Sequence, residues 1–447
     1  MEAKMRQIFD ETIKQTIELA EDIYKHPELG YKEIRTAGKV KEILEAEGIP
    51  YQDQVAYTGI LATIDSGKPG PHIGLICELD GVPTLNHPYA NKEDQAAHTC
   101  GHYAQIGAMM GVFLSIHRAQ ILGELCGKVT LVATPAEEFC DLEYRKGLIA
   151  EGKIKRASGK QEMIELGVFD DMELILSCHT MGLDMNIYDA EIGAGLNGFL
   201  CKKAIFHGKG AHAGSNPAGG INALNAANLA MTGINFLRET FREEDAIRVH
   251  FVVKEGGQTI NSVPERVTME LYVRAKTVEA ILATDEKVTR ALRAGALAIG
   301  CDLEIIDTPG YLPLHQDKNL TDLVKTHILD YVSPERIAQG THGYASGDMG
   351  DLSTLYPIVE IGVGGFTGTV HGSDFRTDNY KQAYEVPAAY FIDAIIDLLS
   401  ENGKKAYEIR EKFNPIMSKE DYLAMLDRFN KTTIYKKGEQ EDDKKMG

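Results

Sequence analysis

The chain has 447 residues, 43% apolar and 25% charged, an ordinary composition for a globular protein of two or three domains. Acidic residues outnumber basic ones by 66 to 47, a formal charge of −19, which argues against nucleic-acid or anionic-membrane partners because both need a basic face. No apolar run reaches the roughly 18 residues of a membrane span. Seven scattered cysteines without a CxxC pair fit reduced thiols and a cytoplasmic location.

The N-terminal segment MEAKMRQIFDETIKQTIELAEDIY alternates charged and apolar residues at helical spacing and carries no secretory h-region. Residues 72–80, HIGLICELD, read as a buried strand ending in acids. A loop and a helix over about 101–118 follow. Residues 128–134, KVTLVAT, form the next strand and run directly into Pro135-Ala136-Glu137-Glu138. Residues 173–179, ELILSCH, are a third strand, and residues 357–364, PIVEIGVG, a fourth. Short apolar strands separated by helices predict βαβ units and a mostly parallel sheet.

Between 198 and 311 the pattern changes. Strands at 199–207, 247–255, 266–275 and 301–307 and helices at 220–239 and 277–299 give the order βαββαβ, that of a ferredoxin-like unit. The predicted fold class is therefore α/β. A discontinuous catalytic domain, 1–197 and 312–447, would carry an inserted second domain, 198–311. The tail ending EQEDDKKMG is highly charged, and its last ten residues are expected to fray.

In an open parallel sheet, ligands bind beyond the carboxyl ends of the strands. Asp80 closes the first strand, Glu137 and Glu138 follow the second, His179 closes the third, and His371 follows the fourth across a glycine-rich loop. The loop after Asp80 adds His98-Thr-Cys100-Gly-His102. Each group alone has a plain structural reading as a turn former, a solvated helix start or a hydrogen-bonded histidine. Taken together, Cys100, His102, Glu138, His179 and His371 converge on one rim. Cysteine, histidine and carboxylate suit zinc or another first-row divalent ion, with manganese, nickel or cobalt as alternatives. Five side chains exceed the four of a structural zinc site, so a pair of metal ions fits better. Of the adjacent carboxylates, Glu138 can hold metal while Glu137 stays free to take a proton from water. Asp80 can hold the second nitrogen of a ligating histidine. The pattern points to metal-assisted hydrolysis.

At these residues the chain resembles the metal-dependent amidohydrolase/aminoacylase peptidases, a group including hippurate hydrolase, N-acyl-amino-acid amidohydrolases, auxin-conjugate hydrolases and aminobenzoyl-glutamate hydrolases. The matching segments are residues 23–31 (IYKHPELGY), 78–83 (ELDGVP), 98–102 (HTCGH), 135–138 (PAEE), 207–213 (HGKGAHA), 256–261 (GGQTIN), 273–274 (VR) and 370–375 (VHGSDF). The resemblance implies a two-metal catalytic domain with an inserted lid through which the protein dimerises. It implies Cys100, His102, Glu138, His179 and His371 as metal ligands, Glu137 as general base and Asp80 as the residue behind the metals. It further implies that His212 reaches a neighbouring subunit's active site, and that Asn261 and Arg274 lie near the substrate's carboxylate or the developing oxyanion. Read without the family, these last three are an exposed loop histidine, a turn residue and a surface arginine.

The expected substrate is an N-acyl amino acid or a related small conjugate. A metallo-dipeptidase or carboxypeptidase acting on small peptides, and a non-catalytic metal-binding protein, are the competing readings. The chain departs from the family pattern at Tyr103, where Asp or Asn is usual, at Glu78, where Asp is usual, and in the polar insert 84–97. Residues 345–353, ASGDMGDLS, are more like the aminobenzoyl-glutamate branch than the hippurate branch.

Overall fold

The computed structural model describes residues 3–437 and divides into two compact units. The first comprises the chain up to Gly195 with Leu314–Gly343 and Gly347–Met417. The second comprises Leu196–Pro313, Tyr344–Ser346 and the described residues from Ser418 onward. Among the described residues, no helix is long and apolar enough to cross a membrane.

An eight-stranded sheet organises the first unit. Its order is Tyr51–Val55, Gly59–Asp65, Lys128–Thr134, His72–Glu78, Leu174–Thr180, Ile358–Val363, Ala190–Ile192 and Ile337–Gln339. The four strands read from the sequence are its contiguous centre, and they pair in parallel with one another. Antiparallel pairings flank them on both sides, and the last two strands, Ala190–Ile192 and Ile337–Gln339, pair in parallel with each other, so the sheet is mixed. Every residue of His72–Glu78 is buried, as a strand covered on both faces requires. The helix His102–Arg118 packs on this sheet and against the helices Ala3–Tyr24 and Val386–Leu399, and it is buried from His102 to Ile116. Gly101 caps its start at φ 97°, and a Cβ there would stand 1.9 Å from Thr180 Oγ1. Only glycine lets Cys100 and His102 approach the end of the neighbouring strand this closely.

The second unit is a five-stranded sheet ordered Arg248–Glu255, Arg266–Ala275, Gly198–His207, Asp302–Pro309 and Lys431–Tyr435. All its neighbouring strands are antiparallel. The helices Ala223–Leu237 and Val278–Ile299 pack on each other and on the sheet. Asn222 caps the first through the amides of Leu224 and Asn225, and Thr277 caps the second through that of Ala280. Alanines and Gly295 let the helices approach closely; a Cβ on Gly295 would lie 2.5 Å from the Ala226 carbonyl oxygen.

Two boundaries differ from the sequence reading. The first strand ends at Glu78, leaving Asp80 in the loop beyond. The tail assigned to the catalytic domain instead returns to the second unit from Ser418. There, Lys431–Tyr435 adds an edge strand in register with Asp307–Leu303. A short polar strand after a charged helix carries no sequence signal for its partner, which only tertiary pairing supplies. The last ten residues, expected to fray, lie outside the described residues.

Candidate metal centre

The loop after Lys128–Thr134 positions two of the acids. Ala136 is held at φ 52°, a left-handed conformation that costs a non-glycine residue roughly 1–2 kcal/mol. The buried carboxylate of Glu33 maintains it. Its Oε1 accepts the Ala136 amide at 2.8 Å, and its Oε2 accepts the Thr58 hydroxyl at 2.6 Å. Below the loop, Arg145 donates to the carbonyls of Glu138 and Ala157 at 2.5 and 2.7 Å. Glu138 then faces His371, with Oε1 3.1 Å from Nε2. Glu137 faces His102, with Oε2 3.8 Å from Nε2.

Cys100 stands between two sets of donors. With His102 and His179 it forms one group whose ligand atoms lie within 4.8 Å of each other; with Glu138 and His371 it forms another. Its sulfur is 3.5 Å from His179 Nε2 and 3.3 Å from His371 Nε2. The histidine rings are fixed from behind. His102 Nδ1 donates to the Asp80 carbonyl at 2.8 Å, and His179 Nδ1 donates to the Thr180 carbonyl at 2.9 Å. Each therefore turns Nε2 toward the cluster. His371 sits at φ 61°, and its amide is tied to the Thr99 carbonyl at 2.8 Å.

Asp80 serves the site by two routes. Its backbone carbonyl takes the His102 hydrogen bond while its Oδ1 lies 3.4 Å from the same nitrogen. Its Oδ2 accepts the Glu138 amide at 2.9 Å.

The donor set matches a divalent metal. His102 Nε2, Glu138 Oε1 and Glu78 Oε2 are buried without a hydrogen-bond partner, a costly state that a cation relieves. Thiolate, imidazole and carboxylate are the ligands of zinc and its neighbours. Burial and the charge of Glu138 push the Cys100 thiol well above its ordinary pKa, so metal binding here would release its proton. Burial opposes ionisation of Glu138 as well, but His371 and His102 draw its pKa down to about 2. Glu137 moves the other way. Burial first, then the charges of Glu78, Glu138 and Asp348, raise it well above the usual carboxylate range. Adjacent carboxylates with opposite shifts suit one ligand and one proton acceptor.

A buried ion cluster escaped the sequence reading. Lys160, fully buried, reaches Glu78 Oε1 and Asp348 Oδ1, each at 2.5 Å. Ser158 donates to Asp348 Oδ2 at 2.6 Å. Oxygens of Glu78, Glu137 and Asp348 lie within 4.8 Å of one another. The sequence reading assigned Lys160 no role and left Asp348 inside the ASGDMGDLS segment without one, because only the fold brings them to Glu78. Glu33 is equally silent, since only the folded loop brings Ala136 to it. His98, part of the His-x-Cys-x-His run, is buried with both ring nitrogens unpartnered and, among the described residues, joins none of the metal-binding groups.

Three predicted residues lie in the second unit. His212 is exposed, and its Nδ1 accepts the amides of Gly214 and Ser215 at 3.1 and 3.0 Å, leaving Nε2–H as an outward donor. The exposed Asn261 binds the same loop, its carbonyl accepting the Ala213 amide at 2.8 Å. Arg274 is half-buried against Phe199 and Tyr272 and donates to Ser346 Oγ at 2.8 Å. It is therefore held in place rather than waving at the surface.

Residues 74–421 match the model of peptidase family M20/M25/M40. The Xaa-Arg dipeptidase of Mus musculus is 26% identical over 406 residues, covering 85% of this chain and 84% of the relative. The N-acetylcysteine deacetylase of Bacillus subtilis is 27% identical over 312 residues, 67% of this chain and 75% of the relative. A solved structure of a dinuclear metal binding peptidase from Bacillus subtilis shares the fold, with a TM-score of 0.66 at 21% identity over 87% of this chain and 99% of that one.

Glu33 yields a pH test. Burial, then the charge of Asp80, raises its pKa from 4.5 to about 7. The folded state thus holds this proton more tightly than the unfolded chain. Stability from this group is full below pH 4.5 and is lost as pH rises through about 7, by up to about 3 kcal/mol. Glu33→Gln keeps an acceptor for Ala136 but cannot ionise. In urea denaturation, the wild type's stability relative to this variant should fall between pH 5 and pH 8. A relative stability that rises over that interval would contradict the assignment.

Proposed function

Because the chain belongs to peptidase family M20/M25/M40, it is a metal-dependent amide-bond hydrolase, and we propose that it cleaves an N-acyl amino acid or a related small conjugate. The observation that carries the reading is the placing of Cys100 between two donor sets, with Glu137 beside them, grouped with His102 and Glu138 on one side and with Glu78 and Asp348 on the other. Cys100, His102, Glu138, His179 and His371 would hold two divalent ions, zinc foremost, with manganese, nickel or cobalt as alternatives. When bound, such ions polarise a carbonyl and lower the pKa of a water.

Glu137 does the proton work. Its raised pKa suits a base that takes a proton from the attacking water and returns it to the leaving nitrogen. Asp80 keeps His102 and the Glu138 backbone in place. Arg274, fixed by its aromatic neighbours and Ser346, and Asn261 would receive the substrate's carboxylate. His212 of a second copy, presenting Nε2–H, would stabilise the oxyanion, with the 198–311 segment supplying the dimer contact.

A second reading has support of its own. The mouse relative that spans most of both chains is named a dipeptidase, so unblocked dipeptides are the competing substrates. Release of amino acids from N-acetyl, N-benzoyl and aminobenzoyl amino acids, compared with free dipeptides, separates the two. We expect the acylated compounds to be cleaved; hydrolysis of dipeptides alone would move the assignment. Glu137→Gln should keep its metal content by elemental analysis and lose activity by about 10²–10⁴-fold. An active variant would refute the role of Glu137 as base.

The role of His212 has a separate check. His212→Ala should lose roughly 10²–10³-fold in turnover. Mixing it with Glu137→Gln should restore part of the activity through hybrid dimers that hold one intact site. No recovery, with subunit exchange demonstrated, would count against a contribution from the second copy.

A further inference from the structure

Glu78 closes the strand from which the site departs, and its side chain is fully buried beside His102. Its two oxygens have different surroundings. Oε1 is taken by the Lys160 ammonium at 2.5 Å, and Lys160 is itself anchored by Asp348 at 2.5 Å. Oε2 lies 3.2 Å from His102 Nε2, yet neither atom has a hydrogen-bond partner. The His102 ring cannot turn to relieve this, because Nδ1 donates to a carbonyl, an acceptor only. Nor can the Glu78 carboxylate swing away while Lys160 grips its other oxygen. The Glu78 amide is fixed too, donating to Gln105 Oε1 at 2.7 Å.

A buried imidazole nitrogen and a carboxylate oxygen at contact distance need a proton or a metal ion between or beside them, and with the proton released on metal binding both become donors to the ion. Zinc bonds to imidazole nitrogen and carboxylate oxygen are both about 2.0–2.2 Å long, which at ligand–metal–ligand angles of about 90–110° places neighbouring ligand atoms on one ion about 2.8–3.6 Å apart. The 3.2 Å separation is such an edge. We infer that Glu78 Oε2 is a further ligand of the ion held by His102, with Lys160 as the counter-charge that orients the carboxylate and leaves one oxygen for the metal. This rests on the dinuclear reading above and extends it by one donor. The cluster is then asymmetric. One ion would draw on Glu78 and His102, and the other on Glu138 and the half-exposed His371.

The test uses full-length protein stripped of metal, titrated with zinc against a competing chelator, and reloaded with cobalt for visible absorption. Glu78→Gln keeps an acceptor for Lys160 but replaces the charged donor. The expected result is one ion bound at least about 10-fold more weakly, the other unchanged, together with an altered cobalt d–d spectrum. An affinity loss with an unchanged spectrum would mean that Glu78 acts only through His102 and would overturn the inference, as would no loss at all. Should the variant fail to fold, a crystal structure of the zinc-loaded wild type decides the matter. Glu78 Oε2 within about 2.5 Å of an ion supports the ligand assignment, and a separation beyond about 3 Å overturns it. Failure of the broader reading looks different, since a wild-type chain that takes up no zinc or cobalt removes both.

Discussion

Charge compensation in a buried space is the constraint on which this site depends. Glu78, Asp80 and Glu137 are buried, and Glu138 nearly so, at or just beyond the ends of neighbouring strands, and the buried Asp348 joins them from the start of the helix Met349–Leu355. Two like charges 4 Å apart repel by about 4 kcal/mol even at an effective dielectric of 20. Lys160 offsets part of this. Burial works against its ammonium, but Asp348 and Glu78 outweigh that effect and hold its pKa above the ordinary value. The same pairing, with His102 and His179, draws Glu78 down to about 2 although burial alone would raise it. One lysine cannot balance the whole group, and Glu78 Oε2, Glu138 Oε1 and His102 Nε2 are left without a hydrogen-bond partner. The family's metal dependence and this local electrostatic demand point to the same place.

The fold meets that demand by bringing four chain segments to one edge. Lys128–Thr134, His72–Glu78, Leu174–Thr180 and Ile358–Val363 are adjacent and parallel, so the groups at or beyond their ends share a rim. Local devices then aim each side chain. The positive φ of Ala136 and His371, the glycine before His102 and the Glu33 carboxylate are strains and buried charges that a structural core alone would not select. Their cost is intelligible if the geometry of the donors is what matters.

Much of this was legible in the sequence because parallel strands covered on both faces announce themselves as short apolar runs, and the chemistry sits directly after them. Glu137, Glu138 and His179 could be placed from that rule alone. The βαββαβ order of the second unit was likewise readable, since its helices and strands have clear periodicity. What stayed hidden depends on distant pairing. Lys160 looks like a surface residue until Glu78 and Asp348 surround it, and Glu33 until Ala136 folds onto it. The Lys431–Tyr435 strand is too short and polar to declare its partner. Asp80 was expected to hold the second nitrogen of a ligating histidine; its backbone carbonyl accepts that hydrogen bond from His102, with its Oδ1 3.4 Å from the same nitrogen.

The claim that unites these observations is that cations complete the cluster around Cys100. Metal content of the purified protein, measured together with hydrolysis before and after chelation, tests it most directly. Close to two divalent ions per chain, with activity lost to the chelator and regained on adding zinc, manganese or cobalt, is the predicted result. A metal-free chain that binds none of these ions and stays inert when they are supplied would contradict the account.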